Sequence, residues 1–262
     1  MIRTSFAAVA TRHVAALSCV LLVNTSVTAA FAADIKVISP IALEYVMVPL
    51  VPQFERSSSH KISISYGTAG QVTDRVQKGE YADVVMTTGP QIDNLQKQAK
   101  IVAGSRVDLA KVGIGVFVRK GATKPDIGSV EAFRRTLLAA NSIGHVDPAL
   151  GVPVGIYMTA LMERMGIAAG MKPKTRLFRV EERFEHVAKG DVEIGFNLIQ
   201  EILAEPNVDF VGPLPAAIQS NTLYAAAIAA VSKEQPAGKA LIQFVSSPAA
   251  LAKMKTKGFE AP

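Results

Sequence analysis

The chain has 262 residues, of which 49% are hydrophobic and 19% charged, and its formal net charge is +6. It contains no Trp, only 6% of its residues are aromatic, and no dense Lys/Arg block carries the positive charge. A basic stripe with interleaved aromatic residues is therefore missing, which argues against a nucleic-acid partner. Regular apolar segments recur after the N-terminal stretch, so the composition excludes a disordered chain and indicates a packed globular protein.

Residues 1–32 predict a secretory signal peptide. Basic residues precede an apolar run over residues 14–23, and the stretch ends in Ala30-Phe31-Ala32. The run is shorter than the roughly 20 residues that a membrane-spanning helix needs. Cleavage after Ala32 or Ala33 would place the mature protein in the periplasm and would remove Cys19, the single cysteine. The mature chain would then have no disulfide, no thiolate metal site and no cysteine nucleophile.

Strand-like and helix-like segments alternate through the remaining residues. The pattern predicts strands over residues 35–38, 61–66, 82–87, 142–146, 175–178 and 193–197. It predicts helices over residues 42–57, 71–78, 91–97, 130–139, 154–165, 182–189, 199–204, 236–245 and 248–257. Such alternation is typical of α/β proteins, in which helices cover mainly parallel sheets.

Two longer β-rich stretches, residues 112–119 and 222–231, interrupt this alternation. A chain of this kind leaves a first lobe and later returns to it, so we interpret the two stretches as crossings between lobes. We therefore predict a signal peptide over residues 1–32, a first lobe over residues 33–111 plus 223–262, and a second lobe over residues 112–222.

Four junctions between an apolar stretch and a helix-like segment contain small residues, Pro or Gly. They cover residues 36–41, 62–71, 142–156 and 176–182. The start of a helix leaves several backbone N–H groups unpaired and carries about half a positive charge. Several helix starts around one cleft can therefore bind an anion without a dedicated basic side chain. The junctions predict a protein that binds a small anion.

The order and spacing of several segments resemble the periplasmic type II solute-binding proteins, and among them the molybdate-binding group. The matching segments are Val37–Leu43, Tyr66–Gln71 followed by Gly79–Val85, Val152–Tyr157, Glu193–Asn197 and Lys239–Pro248. The resemblance covers most of the mature chain. It implies an extracytoplasmic receptor of two lobes, each a mainly parallel sheet flanked by helices, joined by two crossing strands. Such a receptor closes on a small solute and delivers it to the membrane permease of an ABC importer.

The chain departs from the molybdate-binding group at three positions that supply hydroxyl groups there. The resemblance places Ala42 and Ala69 where that group has hydroxyl side chains, and Phe196 where it has a tyrosine. A hydrogen bond to a charged partner contributes about 1.5–3 kcal/mol, so these departures argue against molybdate. They leave another small anion, either an oxyanion or a compact carboxylate, as the expected solute.

The junctions and the resemblance together define a set of candidate ligand contacts. The set is Ser39, Pro40, Thr68, Ala69, Gly70, His145, Val154, Tyr157, Arg183, Phe196 and Asn197. The hydroxyl groups of Ser39 and Thr68 either contact the ligand or cap helices. Arg183 either binds an anion with two hydrogen bonds or lies on a solvated helix face. Asp83, which precedes a buried strand, is expected to hold a loop by hydrogen bonds.

An enzyme is the main alternative from another functional class. His60, His145 and His186 lack the i,i+4 spacing of a metal-binding pair, and no nucleophile elbow or phosphate-binding loop occurs. The sequence therefore predicts no catalytic residue, no metal and no cofactor. A receptor that senses or scaffolds without transport stays open beside import, and a monomer is expected.

Overall fold

The computed structural model describes residues 1–2 and 32–262 of the chain. The predicted signal peptide and Cys19 lie outside this part, except for its first two residues and Ala32. Among the helices that the structure does describe, none combines the length and the apolar character that crossing a membrane would require.

Nine strands and ten α-helices are found in the described residues. The strands are β1 Asp34–Pro40, β2 Lys61–Gly67, β3 Val84–Thr88, β4 Val107–Arg119, β5 Ile143–Val146, β6 Thr175–Phe178, β7 Ile194–Leu198, β8 Val208–Pro213 and β9 Asn221–Ile228. The helices are α1 Glu44–Ser58, α2 Ala69–Gln77, α3 Gly89–Lys97, α4 Val130–Ala139, α5 Pro153–Arg164, α6 Ala168–Met171, α7 Glu185–Lys189, α8 Ile199–Ala204, α9 Gln235–Val245 and α10 Pro248–Lys255. Short 3-10 helices cover Ile41–Leu43, Pro148–Leu150, Lys172–Lys174, Val180–Glu182 and Ala216–Ile218.

All predicted strands and helices are present, with some differences at their ends. The helix predicted from residue 42 begins as the 3-10 helix Ile41–Leu43 before α1, and the one predicted over residues 182–189 is α-helical only from Glu185. Strand β4 begins at Val107, five residues before the predicted β-rich stretch. Strand β8 was not predicted, because its six residues are mostly half-buried and end in a Gly-Pro pair that is typical of a turn.

The strands form two sheets that share β4. Sheet I contains β2, β1, β3 and β9, and sheet II contains β6, β5, β7 and β8. Residues Val107–Gly113 of β4 pair with β9 in sheet I, whereas residues Ile114–Arg119 pair with β7 and β8 in sheet II. The chain returns from sheet II to sheet I through β8 and β9, which both run antiparallel to β4. Strand β4 crosses between the sheets within the first predicted stretch, whereas the return lies between β8 and β9, and the stretch predicted for it, residues 222–231, belongs to sheet I as β9.

Helices cover both faces of sheet I because consecutive residues of β1 point in opposite directions. Val37 packs in the same core cluster as Leu50 of α1 and Leu241 of α9. Ile38, the next residue, packs with Val72 of α2 on the opposite face. Because β1 and β2 are parallel, their carboxyl ends lie side by side, and α1 follows the first whereas α2 follows the second. The whole of Ala32–Pro262 forms one body.

Asp83 connects three segments of the half of the molecule that contains sheet I. Its Oδ2 accepts a hydrogen bond from the Lys36 backbone N–H at 2.9 Å. Its Oδ1 accepts from the hydroxyls of Tyr81 and Ser232, both at 2.8 Å, and from the Glu234 N–H at 3.3 Å. Burial alone would raise the pKa of Asp83, but these donors outweigh it and hold the pKa below its ordinary value. The predicted role of Asp83 in holding a loop is confirmed.

We expect Asp83→Asn to lower the free energy of unfolding at pH 7 by about 2–3 kcal/mol, because an amide cannot accept all four hydrogen bonds as a carboxylate does. Since the folded-state pKa lies below the unfolded value of about 3.9, the contribution is complete above that pH and is lost as the pH falls below it. Urea denaturation at pH 7 and pH 3 measures the difference, which should shrink at pH 3. Asp74→Asn, an exposed position on α2, is the matched control. Equal stabilities of wild type and Asp83→Asn at pH 7 would contradict this role.

Candidate functional site

A cavity of about 40 Å³ lies where strand ends of the two sheets face each other. Its walls are formed by Pro40, Ile41, Ala42, Gly67, Thr68, Ala69, Val146, Val152, Pro153, Val180, Arg183, Asn197, Leu198, Glu201 and Tyr224. Most of these residues follow the carboxyl ends of parallel strands, which is where open α/β sheets bind ligands. One internal water needs roughly 10–15 Å³ by the same measure, so the cavity has room for roughly three water molecules.

Helical segments from both sheets begin at the cavity wall. The two longest are α2, whose first residue is Ala69, and α5, whose first residue is Pro153. The 3-10 helices at Ile41 and Val180 also start there, and Leu198 precedes α8. N–H groups of the first turn have no partner within their own helix and favour negative charge nearby. The structure thus brings the four predicted junctions together and adds a fifth, at the start of α8.

Thr68 closes the start of α2 through a reciprocal capping arrangement. Its Oγ1 accepts from the Gln71 N–H at 3.1 Å, and the Gln71 Oε1 accepts from the Thr68 N–H at 2.8 Å. The same hydroxyl donates at 3.1 Å to the carbonyl of Leu150, which belongs to the half of the molecule that contains sheet II. The capping role proposed for Thr68 is confirmed, and a ligand contact through its hydroxyl stays a prediction.

The start of α5 lies directly against the end of β5. A Cβ atom added to Gly155 would come within 2.1 Å of the Val146 carbonyl oxygen, so only glycine permits this approach. Pro153 occupies the first helical position, where its missing N–H is not needed. Val154 is buried, and its N–H is one of the first-turn donors, as predicted.

A buried ion pair occupies one side of the cavity. The Arg183 Nε donates to the Glu201 Oε2 at 2.7 Å, and the Asn197 Nδ2 donates to the same oxygen at 3.0 Å. The Arg183 Nη1 donates to the Val180 carbonyl at 2.6 Å, and Nη2 lies 3.5 Å from the Tyr45 hydroxyl. Burial lowers the pKa of Arg183, but Glu201 and Tyr45 outweigh it and raise the pKa above its ordinary value. Arg183 is therefore charged, paired with Glu201 and not on a solvated face, which corrects one of the two sequence readings. Binding of an anion by its other N–H groups stays a prediction.

Two wall residues, Glu201 and Tyr224, were missed from the sequence. Glu201 lies in the first turn of α8, so the helix start predicted at residue 199 could have indicated it. Tyr224 is only 1% exposed, and no described residue hydrogen-bonds with its hydroxyl. Burial and the nearby Glu201 raise the pKa of Tyr224, so its phenol stays protonated and can donate.

Six predicted contacts are not part of the wall: Ser39, Gly70, His145, Val154, Tyr157 and Phe196. Consecutive strand residues face opposite ways, so Val146 and Asn197 reach the cavity while His145 and Phe196 point away from it. Phe196 packs edge-on against Phe133, and the His145 Nδ1 lies 2.9 Å from the Val146 carbonyl.

Tyr157 and Ser39 use their hydroxyls elsewhere. Tyr157 donates to the Ile218 carbonyl at 2.7 Å, and Ser39 donates to the Pro40 carbonyl at 3.3 Å. Ser39 caps no helix, because Pro40 occupies the position before the first 3-10 helix. Among residues 32–262, no group of three or more His, Cys, Asp or Glu side chains is placed to hold a metal ion.

The two halves touch through bare backbone at the edge of the cavity. A Cβ atom on Gly70 would lie 3.2 Å from the Cα of Gly151, and one on Gly151 would lie 3.0 Å from the Cα of Gly70. Gly151 also has a φ of +67°, which favours glycine. A second contact between the halves is the hydrogen bond that the Gln200 Nε2 donates to the Ala42 carbonyl at 3.4 Å. Gly70, predicted as a ligand contact, instead permits the halves to meet.

We expect Gly70→Ala to keep the halves apart, because its methyl group would press on the Gly151 backbone. Alanine is the better helix former, so the free energy of unfolding should fall by less than about 1 kcal/mol. Small-angle X-ray scattering should show a larger radius of gyration than for wild type. The control is Gly170→Ala, another helical glycine, where an added Cβ meets no atom within 4 Å. An unchanged radius of gyration in Gly70→Ala would show that this contact does not limit closure.

Comparison with known proteins places the chain in a family. Residues 35–260 match the model of the family described as "Bacterial extracellular solute-binding protein". The chain is 33% identical over 217 residues to an aconitate isomerase of Pseudomonas sp, covering 80% of this chain and 81% of that protein. It is 25% identical to the molybdate-binding protein ModA of Azotobacter vinelandii, covering 88% and 91%.

A solved structure shows the same fold. The substrate-binding domain of a putative molybdenum ABC transporter from Clostridium difficile superimposes with a TM-score of 0.71 at 17% identity, covering 88% of this chain and all of that one. The fold is the two-lobed type II periplasmic-binding-protein fold predicted from the sequence. With the family model matching nearly the whole described body, the chain belongs to the bacterial extracellular solute-binding proteins.

Proposed function

We propose that this solute-binding protein captures a small anion between its two lobes and delivers it to the permease of an ABC importer. The observation that carries the proposal is one cavity between the two sheets, at whose wall α2 of sheet I and α5 of sheet II both begin. Tyr224, almost fully buried, adds a hydroxyl that no described residue engages. An anion would accept from these donors, and it would contact both halves at once.

Closure of the lobes follows from the same geometry. Wall residues of the first proposed lobe, residues 33–111 plus 223–262, meet those of the second, residues 112–222, only when the halves are together. A ligand that contacts both sides therefore shifts the population toward the closed state. The change of pairing partners within β4, between Gly113 and Ile114, supports a boundary close to the proposed one.

A compact carboxylate is the anion class that we favour. The relative named for aconitate is more similar to this chain than the one named for molybdate, and Ala42 and Ala69 bring no hydroxyl to the wall. The closed cavity can seat one carboxylate or one tetrahedral anion. A longer acid would extend past Arg183, which also borders an outer groove of about 430 Å³.

We favour delivery to a permease over sensing because one solved neighbour is the substrate-binding domain of a putative ABC transporter. The family is described as extracellular, which agrees with the predicted periplasmic location and signal peptide. We propose that the receptor acts as a monomer, without a cofactor or metal.

A thermal-shift screen tests the proposed ligand class. Molybdate, tungstate, sulfate, phosphate and small organic acids, including aconitate, are each added to the purified mature protein. At one hundred times its dissociation constant, a ligand stabilises the native state by about 2.7 kcal/mol, or roughly 5–10 °C for a protein of this size. We expect a carboxylate to give the largest shift. A shift with a sugar or a cation and none with any anion would refute the proposal.

Tyr224→Phe should weaken binding of the best anion about ten- to one-hundredfold, because one hydrogen bond to a charged ligand is lost. Isothermal titration calorimetry measures the dissociation constant. Tyr157→Phe is the matched variant: its hydroxyl faces the Ile218 carbonyl, so binding should stay at the wild-type level. If only Tyr157→Phe were impaired, the ligand contact would be at Tyr157, as predicted from the sequence, and not at Tyr224.

A further inference from the structure

We propose that an unsaturated polycarboxylate is isomerised here, with its reacting end in the cavity and the rest in the outer groove beyond Arg183, and with Glu201 as the residue that carries the proton. The proposal rests on the proposed function, because it needs the bound anion to be a carboxylate. It goes further by assigning a chemical reaction to the site.

Glu201 is not explained by anion capture alone. Its side chain is only 8% exposed, and it forms part of the cavity wall. A carboxylate at this position repels an anionic ligand, and a receptor that only captures anions would bind more tightly without it. Arg183 balances the charge but does not require a Glu at the wall, since its Nη1 already donates to a backbone carbonyl.

The contacts of Glu201 suit a base. Both donors, the Arg183 Nε and the Asn197 Nδ2, bind the same oxygen, Oε2. Among residues 32–262, none donates a hydrogen bond to Oε1. Two donors on one oxygen fix the orientation of the carboxylate, while the second oxygen can accept a proton from a bound ligand.

The opposite wall suits the charge that such a proton transfer creates. Removing a proton next to a carboxylate moves negative charge onto its oxygens. The N-termini of α2 and α5 and the hydroxyl of Tyr224 surround the cavity in which those oxygens would lie. Donors fixed in advance around developing charge are the usual source of rate acceleration in such sites.

The reaction is a proton shift across an allylic unit. Glu201 takes a proton from a CH₂ group that lies between a carboxylate and a C=C bond, so that C–H bond breaks. Its electron pair forms a new C=C bond while the old π pair moves to the far carbon. Glu201 then gives its proton to that carbon, a new C–H bond forms, and the carboxylate is ionised again. When both ends of the unit carry the same groups, the net change is between cis and trans isomers, with no oxidant or reductant.

The test uses the mature chain with trans-aconitate in D₂O, followed by NMR. We expect the cis isomer to appear and deuterium to enter the carbon-bound positions. Glu201→Gln should lower the rate at least about one-hundredfold, because the amide cannot accept the proton. Its thermal shift with trans-aconitate should persist or increase, because a repelling charge is gone. The control is Glu131→Gln, the same charge change at an exposed position of α4, away from the cavity and the outer groove.

The outcomes separate this inference from the proposed function. No thermal shift with any carboxylate would refute the carboxylate-binding proposal on which the inference depends. A shift with trans-aconitate but neither isomerisation nor deuterium entry would overturn the isomerase inference and leave capture intact. Wild-type turnover in Glu201→Gln would overturn the role of Glu201. If Glu201→Gln does not fold, Glu201→Asp is used instead, because it keeps the charge but moves the carboxylate. We expect Glu201→Asp to bind trans-aconitate and to turn it over more slowly. An unchanged rate would contradict the role of Glu201 in proton transfer.

Discussion

The arrangement of this protein depends on the hydrogen bonding of one strand to two sheets. The first half of β4 pairs with β9, and the second half pairs with β7 and β8. Because the ladder continues through both halves, the sheets are held with strand ends facing each other across a narrow gap. The helices that follow those strands must then begin at the gap. The cavity is thus a consequence of connectivity, and its small volume a consequence of how closely Gly70 and Gly151 approach.

The charged groups at the cavity are the feature that packing does not explain. Removing two charges from water costs several kcal/mol per ion, and a buried pair is often no more stabilising than apolar residues of the same size. Arg183 and Glu201 are 17% and 8% exposed, so the pair carries much of this cost. The pair lies at the wall of the cavity, which is where the proposed roles in recognition and chemistry require it.

Much of the fold could be predicted because the apolar periodicity is strong wherever an element is buried. Every residue of β3 and β5 is buried, and both strands were predicted. Strand β8 is mostly half-buried at the border of its sheet, and nothing in its sequence separates it from a loop.

The site could be predicted only in part, for a related reason. Helix starts follow from small residues and Pro, so Pro40, Thr68 and Ala69 were placed at the cavity correctly. Which of two neighbours faces the cavity depends on strand register, so Asn197 lies at the wall whereas Phe196 does not. Tyr224 comes from a strand far along the chain, and its presence there depends on pairing that a single sequence does not reveal.

The four hydrogen bonds of Asp83 also bear on the order in which the chain folds. They join Lys36 near the N-terminus to Ser232, which lies 149 positions beyond Asp83. Contacts between such distant positions form slowly, because a long loop must close before they are made. The half that contains Asp83 therefore cannot be completed until the C-terminal segment has been synthesised, whereas the strands of sheet II come from one continuous stretch. A chain that stays incompletely folded until its last part emerges is suited to passage through a membrane in an extended form.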